Sequence, residues 1–518
     1  MEMENEGKAI SIIRIVLALV FPAFLCFVYC LIRGVSLADL YVPASYNNDC
    51  VFYYKLVDAV VEYGGPTGYF GFNESRAIMG GFAAWSPLIV LPWSVWGWAF
   101  GWSYSSALIC NVVLFSVALA IFAYLSETGI KELCFLFAGL FLFPSFSIHL
   151  MNILPEIVLT SFVLIYLGFA IRSAIRGAKN SYILAMFTFS AFLTIIRPYM
   201  ILFMIIPTYY LGKKRSKLSA FVAVVILGVL SAAANLFINH FYTSAYFDPL
   251  FKTDIIKLFF QGHFTEAYYT AASVFKNMVA GMTDAFKGAF SYGLTMGTQY
   301  VVAVITAIFA VVLSFEKENG ELRPIYLTFA FSVLSVILAV IFLLQKTNEG
   351  GRHIFVFAII GIVLVCTAGS DKLGVILKSL TAVLLVVFCV RGAMVPTDYD
   401  IPVKDAETAE NVEYWKNIFE TEGTFDSESE GYSNTVIWTF VDYDENGAGV
   451  VTPYSELYEL PAGVGISCCY PDYVINSFDR LKSRYVITDS RGRVADMFKE
   501  NGAEVLGEHG NAVMFKRY

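Results

Sequence analysis

The sequence predicts an all-α polytopic membrane bundle with a small C-terminal α/β domain. Hydrophobic residues make up 57% of the 518 residues and charged residues only 15%, whereas a soluble domain carries about 25% charged residues. The charge is divided unevenly, because residues 396–518 hold 23 Asp and Glu but only 10 Lys and Arg, out of 43 and 35 in the whole chain. We therefore expect a membrane body, residues 1–395, followed by an acidic soluble domain, residues 396–518. Such an acidic domain disfavours nucleic acid as a partner.

Apolar runs of about 20 residues predict about eleven transmembrane helices. The loops Arg172–Ser181 and Gly212–Lys217 are rich in Lys and Arg, so both are expected in the cytoplasm, together with the N-terminus. A single helix between these loops would separate them, so we expect a hairpin of two short helices that turns at Arg197-Pro198. The predicted spans are Ile10–Ile32, Tyr104–Leu125, Leu133–His149, Pro155–Ile171, the two halves of Tyr182–Leu211, Leu218–Ile238, Met296–Phe315, Pro324–Leu344, Ile354–Gly369 and Val375–Val395.

Two segments of the first external loop, residues 33–103, are expected to be interfacial helices. Ala83–Phe100 contains two Pro and four Trp, and Trp favours the membrane interface over the bilayer centre. A crossing there would also move both basic loops to the outside. Val51–Tyr63 is expected to lie beside it, with Lys55, Asp58 and Glu62 on its wet face.

A second external loop, residues 239–295, precedes the last four spans. An odd number of spans places the C-terminal domain outside the cell, in a chain integral to the plasma (cytoplasmic) membrane. In this domain the hydrophobic pattern predicts the following elements. They are a linking helix at Ala406–Glu420, strands at Thr435–Phe440, Arg484–Ile487, Ala503–Leu506 and Ala512–Lys516, and a helix at Arg493–Asn501.

The first candidate catalytic residue is Asp49, at the end of the segment YVPASYNND that follows the first span. A carboxylate at the membrane surface, on a loop that is held between membrane helices, is well placed to act on a lipid-linked substrate. The alternative is that Asp49 caps the helix that begins near Cys50, a common role for Asp. The local sequence alone favours the cap, and the rest of the chain favours catalysis.

Three further charged residues are expected on the same outer face. Glu156 follows Pro155, which suits the first turn of a helix, so its carboxylate is favoured there by the helix dipole with or without a catalytic role. Arg352 follows Gly350-Gly351 in the polar stretch QKTNEGGRH. It is suited to binding an anion, although an interfacial anchor is the commoner role of a lone Arg. Arg197, at the apex of the hairpin, is the next candidate for an anion site.

This layout resembles the GT-C class of membrane glycosyltransferases, which includes the protein O-mannosyltransferases and the aminoarabinose transferase of lipid A. The resemblance covers roughly residues 10–395. Asp49 matches the catalytic acid of the first loop in this class, Glu156 the acid of the second loop, and Arg352 the Arg that binds the donor phosphate. Trp85-Ser86-Pro87-Leu88 stands where many members have Pro-Pro-Leu, so the contacts made in that region are not carried over.

The resemblance implies a donor in which a sugar is linked to a polyprenyl phosphate in the membrane lipid. Asp49 would act as general base on an acceptor hydroxyl of a glycan, lipid or protein, which displaces the lipid phosphate with inversion at the anomeric carbon. Arg352, with Arg197, would bind the phosphate. Two neighbouring acids repel each other unless a cation or a proton lies between them. The resemblance fixes no cofactor, and a divalent cation, Mg²⁺ or Mn²⁺, held by Asp49 and Glu156 is one alternative.

Two other functions fit the sequence. A transporter or flippase for lipid-linked glycans would carry charged residues in the middle of its spans, whereas the predicted spans here are nearly free of them. A non-catalytic envelope assembly protein would use the C-terminal domain as its binding module. An assay for transfer of a radiolabelled sugar from a polyprenyl phosphate donor distinguishes the glycosyltransferase from these two alternatives.

Overall fold

The computed structural model describes most of the chain. The described residues are 2–34, 36, 48–64, 71–74, 87–103, 105–242, 252–292, 296–369, 371–394, 406–423, 431–439, 441–452, 457 and 460–518.

The membrane body consists of helices packed around one apolar core. Helix α4 packs on α1 and α7, and α15 packs on α13, α14 and α7. The bounds are α1 Glu2–Arg33, α2 Asn48–Tyr63, α3 Leu91–Phe100, α4 Ser106–Ser126, α5 Ile130–Phe141, α6 Pro144–Leu150, α7 Pro155–Arg176, α8 Asn180–Ile196, α9 Ile205–Lys214, α10 Lys217–Tyr242, α11 Asp254–Phe260, α12 Phe264–Tyr292, α13 Met296–Ser314, α14 Arg323–Ala339, α15 Thr347–Cys366 and α16 Lys372–Met394.

Among the described residues, 7 helices are long and apolar enough to cross a membrane, and a bent pair brings the number to 8. The chain is therefore a multi-pass membrane protein. The helices are found at Ile10–Ile32, Ser106–Ser126, Pro155–Arg176, Lys217–Ile238, Gly297–Ser314, Arg323–Leu344 and Lys372–Gly392. Two further predicted spans correspond to the shorter apolar helices Asn180–Ile196 and Gly351–Cys366, so the number eleven stays a prediction.

The predicted span Leu133–His149 is wrong as a single straight helix. It is divided between α5 and α6, which meet at an angle of 82°. The break precedes Pro144, and Phe143 has the extended backbone that a following Pro favours. Pro144 begins α6, where its missing N–H breaks no helical hydrogen bond.

The two basic loops lie on the same face of the body, as the predicted hairpin requires. Lys214 Nζ donates to the carbonyl of Ala178 at 2.9 Å, which joins the loop after α9 to the loop before α8. Between them the chain turns at Arg197 and continues through a short 3₁₀ helix, Pro198–Met204, into α9. Helix α7 runs from Glu156 to this basic face and is about 33 Å long, so Glu156 lies on the opposite face.

Helices α2 and α3 pack on each other. Trp98 Nε1 donates to the carbonyl of Val60 at 3.1 Å, and Trp102 Nε1 to that of Tyr54 at 3.3 Å. Helix α3 has 10 residues and is about 15 Å long, too short to span a bilayer. The prediction that Lys55 lies on a wet face is wrong, since Lys55 is 2% exposed and its Nζ contacts Asp58 and the carbonyl of Leu460 in the C-terminal domain.

The C-terminal domain is a mixed α/β unit that is entered through helix α17, Ala406–Glu422. Its sheet has the order β1-β5-β2-β6-β8-β7, with β1, β5, β2 and β6 parallel and the last two strands antiparallel. Strands β3 and β4 form a separate hairpin. The bounds are β1 Gly71–Phe72, β2 Thr435–Trp438, β3 Val441–Tyr443, β4 Gly449–Val451, β5 Gly465–Cys468, α18 Pro471–Asn476, β6 Tyr485–Asp489, α19 Arg493–Glu500, β7 Glu504–His509 and β8 Ala512–Lys516.

Strand β1 comes from the first loop of the membrane body and not from the C-terminal domain. Glu74, two residues after it, is 6% exposed. Its carboxylate accepts hydrogen bonds from the backbone N–H groups of Lys482 and Ser483, while its own N–H donates to Ser467 Oγ at 2.8 Å. The Cys469 thiol is buried beside Glu74. This burial raises the pKa of the thiol to about 12, which keeps it protonated. Residues 71–74 of the first loop are thus part of the fold of the C-terminal domain.

Candidate active site

Glu156 begins the site from the first turn of α7. Leu154 is extended, Pro155 starts the helix, and Glu156 lies in the first turn as predicted. Its side chain is only 1% exposed. A carboxylate in so little water requires a compensating charge nearby.

Arg197 reaches the same place from the break in the hairpin. It ends α8 with an extended backbone, φ −134° and ψ 106°, which a residue before Pro prefers. Its side chain is 1% exposed. The chain reversal at Arg197-Pro198 therefore directs a guanidinium into the protein.

Arg352 comes from the second turn of α15. Helix α15 begins at Thr347 and takes in both Gly350 and Gly351. The preceding segment, Val340–Leu344, is a π-helix that ends at Gln345 with φ 54°. Such irregular helix ends are frequent at functional sites. Arg352 is 17% exposed, the most open of the three charged residues.

These three residues, predicted separately, meet in one ionic cluster. Arg197 Nη2 lies 3.2 Å from Glu156 Oε1, and Arg352 Nη2 lies 3.5 Å from the same oxygen. One carboxylate faces two guanidiniums, so the cluster carries a net charge of +1. A site of this charge, at the end of three helices, is suited to an anion such as a phosphate.

His353 and Tyr199 hold Arg197 in place on its other side. Arg197 Nη1 lies 2.9 Å from His353 Nδ1. Because a guanidinium only donates, Nδ1 is the acceptor and this imidazole is neutral. The hydroxyl of Tyr199 lies 3.1 Å from the same nitrogen. The sequence gives no sign of this contact, which only the folded chain creates.

Asp49 is described only by its backbone, and its side chain lies outside the described residues. Helix α2 begins at Asn48, so Asp49 lies at the start of this helix. The neighbouring Cys50 places this turn beside the chain that leads to Glu156, since Cys50 Sγ lies 3.0 Å from Asn152 Oδ1. The start of α2 is therefore anchored to the segment between α6 and α7, which leads to Glu156.

A buried amide network fixes this arrangement. Asn111 in α4 is 0% exposed. Its Nδ2 donates to the carbonyl of Asn152 at 2.7 Å and to that of Leu150 at 3.2 Å. Its Oδ1 accepts from Trp93 Nε1 at 2.8 Å. Asn111 is not among the residues predicted from the sequence, although an amide inside an otherwise apolar span is a signal that could have pointed to it.

The described part of the cluster does not fit a divalent cation. Among the described residues, no three His, Cys, Asp or Glu side chains are grouped so that they could hold a metal ion. Glu156 Oε1 already faces two guanidiniums. Unit charges about 4 Å apart repel by about 4 kcal/mol at an effective dielectric of 20, so a divalent ion at Glu156 would be opposed by both Arg side chains.

The amino-acid sequence matches no family model and no curated protein significantly. The structure resembles the oligosaccharyltransferase of Archaeoglobus fulgidus solved with Zn and sulfate, with a TM-score of 0.50 and 10% identity over 92% of this chain and 67% of that one. The apo form of the same enzyme gives a TM-score of 0.50 and 10% identity, over 92% and 69% of the two chains. ArnT of Cupriavidus metallidurans bound to undecaprenyl phosphate gives 0.43 and 10% identity, over 96% and 97%.

At identities near 10%, the likeness to the oligosaccharyltransferase concerns the fold. It extends over 92% of this chain. The predicted resemblance is confirmed at this level: the chain shares the fold of a membrane oligosaccharyltransferase.

Proposed function

We propose that this protein is a membrane glycosyltransferase that moves a sugar from a polyprenyl phosphate donor to an acceptor outside the cytoplasm. The observation that carries the proposal is the buried cluster of Glu156, Arg197 and Arg352, whose net positive charge lies at one end of the helix bundle. The phosphate that joins the lipid tail to the sugar in such a donor is an anion. A positively charged cluster at this depth is suited to bind it. The fold, shared with an oligosaccharyltransferase, supports the same class of reaction.

In the proposed reaction, Asp49 takes the proton of an acceptor hydroxyl as the oxygen attacks the anomeric carbon. The bond between that carbon and the phosphate oxygen breaks, and its electron pair leaves with the lipid phosphate. The leaving phosphate gains a second negative charge, which Arg352 and Arg197 stabilise through charge-assisted hydrogen bonds. Attack from the face opposite the phosphate inverts the anomeric configuration.

The test is transfer of a radiolabelled sugar from a polyprenyl phosphate donor by purified protein in nanodiscs, with cell-envelope glycans, lipids or peptides as acceptors. Label in an acceptor supports the proposal. Movement of intact donor across a sealed vesicle, without transfer, would instead identify a flippase. Binding of a glycan by the C-terminal domain alone, with neither activity, would identify an assembly protein.

We expect this transfer to be independent of a divalent cation. The reason is the cluster charge, since Glu156 is already paired with two guanidiniums. The rate of purified protein should be the same in EDTA as in added Mg²⁺ or Mn²⁺. A rate that falls in EDTA and returns with either metal would contradict this expectation and support a cation shared by Asp49 and Glu156.

The proposal also places the C-terminal domain outside the cytoplasm. The basic loops lie on one face and the C-terminal domain contacts the other, and basic loops are typically cytoplasmic. A reporter that is active only in the cytoplasm should give no signal when it is fused after Tyr518. The same reporter inserted in Gly212–Lys217 should give a signal, and the reverse pattern would overturn the orientation.

A further inference from the structure

Two buried acceptor atoms beside the Arg pair have no hydrogen-bond partner among the residues that the structure describes. They are Glu156 Oε2 and His149 Nε2. Glu156 is 1% exposed and His149 is 3% exposed. An unpaired polar atom at this depth is costly, so the pair is arranged to receive a hydrogen-bond donor that the described residues do not supply.

The imidazole of His149 is fixed in one tautomer and one orientation. Its Nδ1 lies 2.7 Å from the carbonyl oxygen of Ser145. Because a carbonyl only accepts, Nδ1 carries the proton and Nε2 is a lone-pair acceptor. The ring also stacks on Phe355, with centroids 3.9 Å apart and planes 16° apart.

His149 belongs to the cluster already described. It ends α6, from which the chain turns directly into Glu156, and it lies within electrostatic range of both Glu156 and Arg352. Phe355, its stacking partner, is one turn of α15 beyond Arg352. The end of α6 and the start of α7 therefore present two unpaired acceptors beside the Arg pair, which comes from the end of α8 and from α15.

We propose that His149 Nε2 and Glu156 Oε2 accept hydrogen bonds from hydroxyl groups of the donor sugar, while Arg197 and Arg352 bind its phosphate. This inference rests on the proposed function and specifies how the site recognises its substrate. Two acceptors without protons require a ligand with donors, and a phosphate diester has none. A sugar joined to a phosphate offers both kinds of group within a few ångströms.

The test compares two probes in nanodiscs, undecaprenyl phosphate and the same lipid phosphate carrying mannose, glucose or arabinose. The wild-type protein should bind at least one sugar-bearing lipid more tightly than the bare lipid phosphate. His149→Phe keeps a ring on Phe355 but removes the acceptor, so Kd for that sugar-bearing lipid should rise about 3- to 10-fold. Its Kd for the bare lipid phosphate should stay unchanged. His149→Gln, which restores an acceptor oxygen, should recover part of the loss.

The matched control is His263→Phe, the same substitution at a His with a 54% exposed side chain far along the chain from the cluster, and both Kd values should stay at the wild-type level. An equal rise of both Kd values in His149→Phe would make His149 a structural residue and overturn the inference. An unchanged preference for the sugar-bearing lipid over the bare lipid phosphate would overturn it as well. If the wild-type protein binds neither probe, the proposed function itself fails.

Discussion

Replacing Asp49 with Asn is expected to lower the rate of sugar transfer by about 10²–10⁴-fold, the usual contribution of a general base. Asn keeps the size of the side chain and its ability to accept a hydrogen bond at a helix start, but it cannot take the acceptor proton. The start of α2 is also held by the contact of Cys50 with Asn152, so the helix should remain in place. Transfer rate and donor Kd, measured on one nanodisc preparation, check this.

The matched control for this substitution is Asp254→Asn. Asp254 also lies in the first turn of a helix, α11, so the same change tests the helix-start contribution without the proposed chemistry. The control should transfer at the wild-type rate, and Asp49→Asn should bind donor as the wild type does. Wild-type turnover by the Asp49→Asn protein would remove Asp49 from the mechanism and leave it a role in the helix only.

Replacing Arg352 should weaken donor binding and slow transfer together, with Ala more damaging than Lys. A hydrogen bond to a charged group contributes about 1.5–3 kcal/mol, so Arg352→Ala should lose about 10- to 150-fold in kcat/KM. Lys restores the charge but cannot hold two phosphate oxygens with a planar fork. The measurement is transfer rate against donor concentration for the three proteins.

Arg352 is a better probe than Arg197, although both face Glu156. Arg197 is 1% exposed whereas Arg352 is 17% exposed, and removal of one partner from a fully buried ion pair destabilises a protein by about 3–5 kcal/mol. The Ala and Lys substitutions at Arg323, which begins α14 on the basic face, serve as controls. Identical curves for the wild-type protein, Arg352→Lys and Arg352→Ala would exclude Arg352 from the site and leave Arg197 as the anion ligand.

The sequence by itself determined that this is a multi-pass membrane protein followed by a small α/β domain. Mean hydropathy and loop charge depend on composition, so they are visible before folding. Pro155 also determined that Glu156 begins a helix, and Arg197-Pro198 that the chain reverses between two basic loops. Strands β2, β6 and β8 were predictable as short, almost continuously buried apolar runs, but β5, with its Gly and Cys residues, was missed.

Only the tertiary structure decided which faces of the helices meet. A helical run of Leu, Ile and Val is apolar on all sides, so its pattern does not tell which neighbour it will pack against. Glu156, Arg197 and Arg352 converge because α7, the hairpin and α15 all end at one place. Burial of Lys55 and the addition of β1 to the distant sheet depend on contacts across some 400 residues. The tautomer of His149 depends likewise on a carbonyl, Ser145 O, that only the folded α6 presents to it.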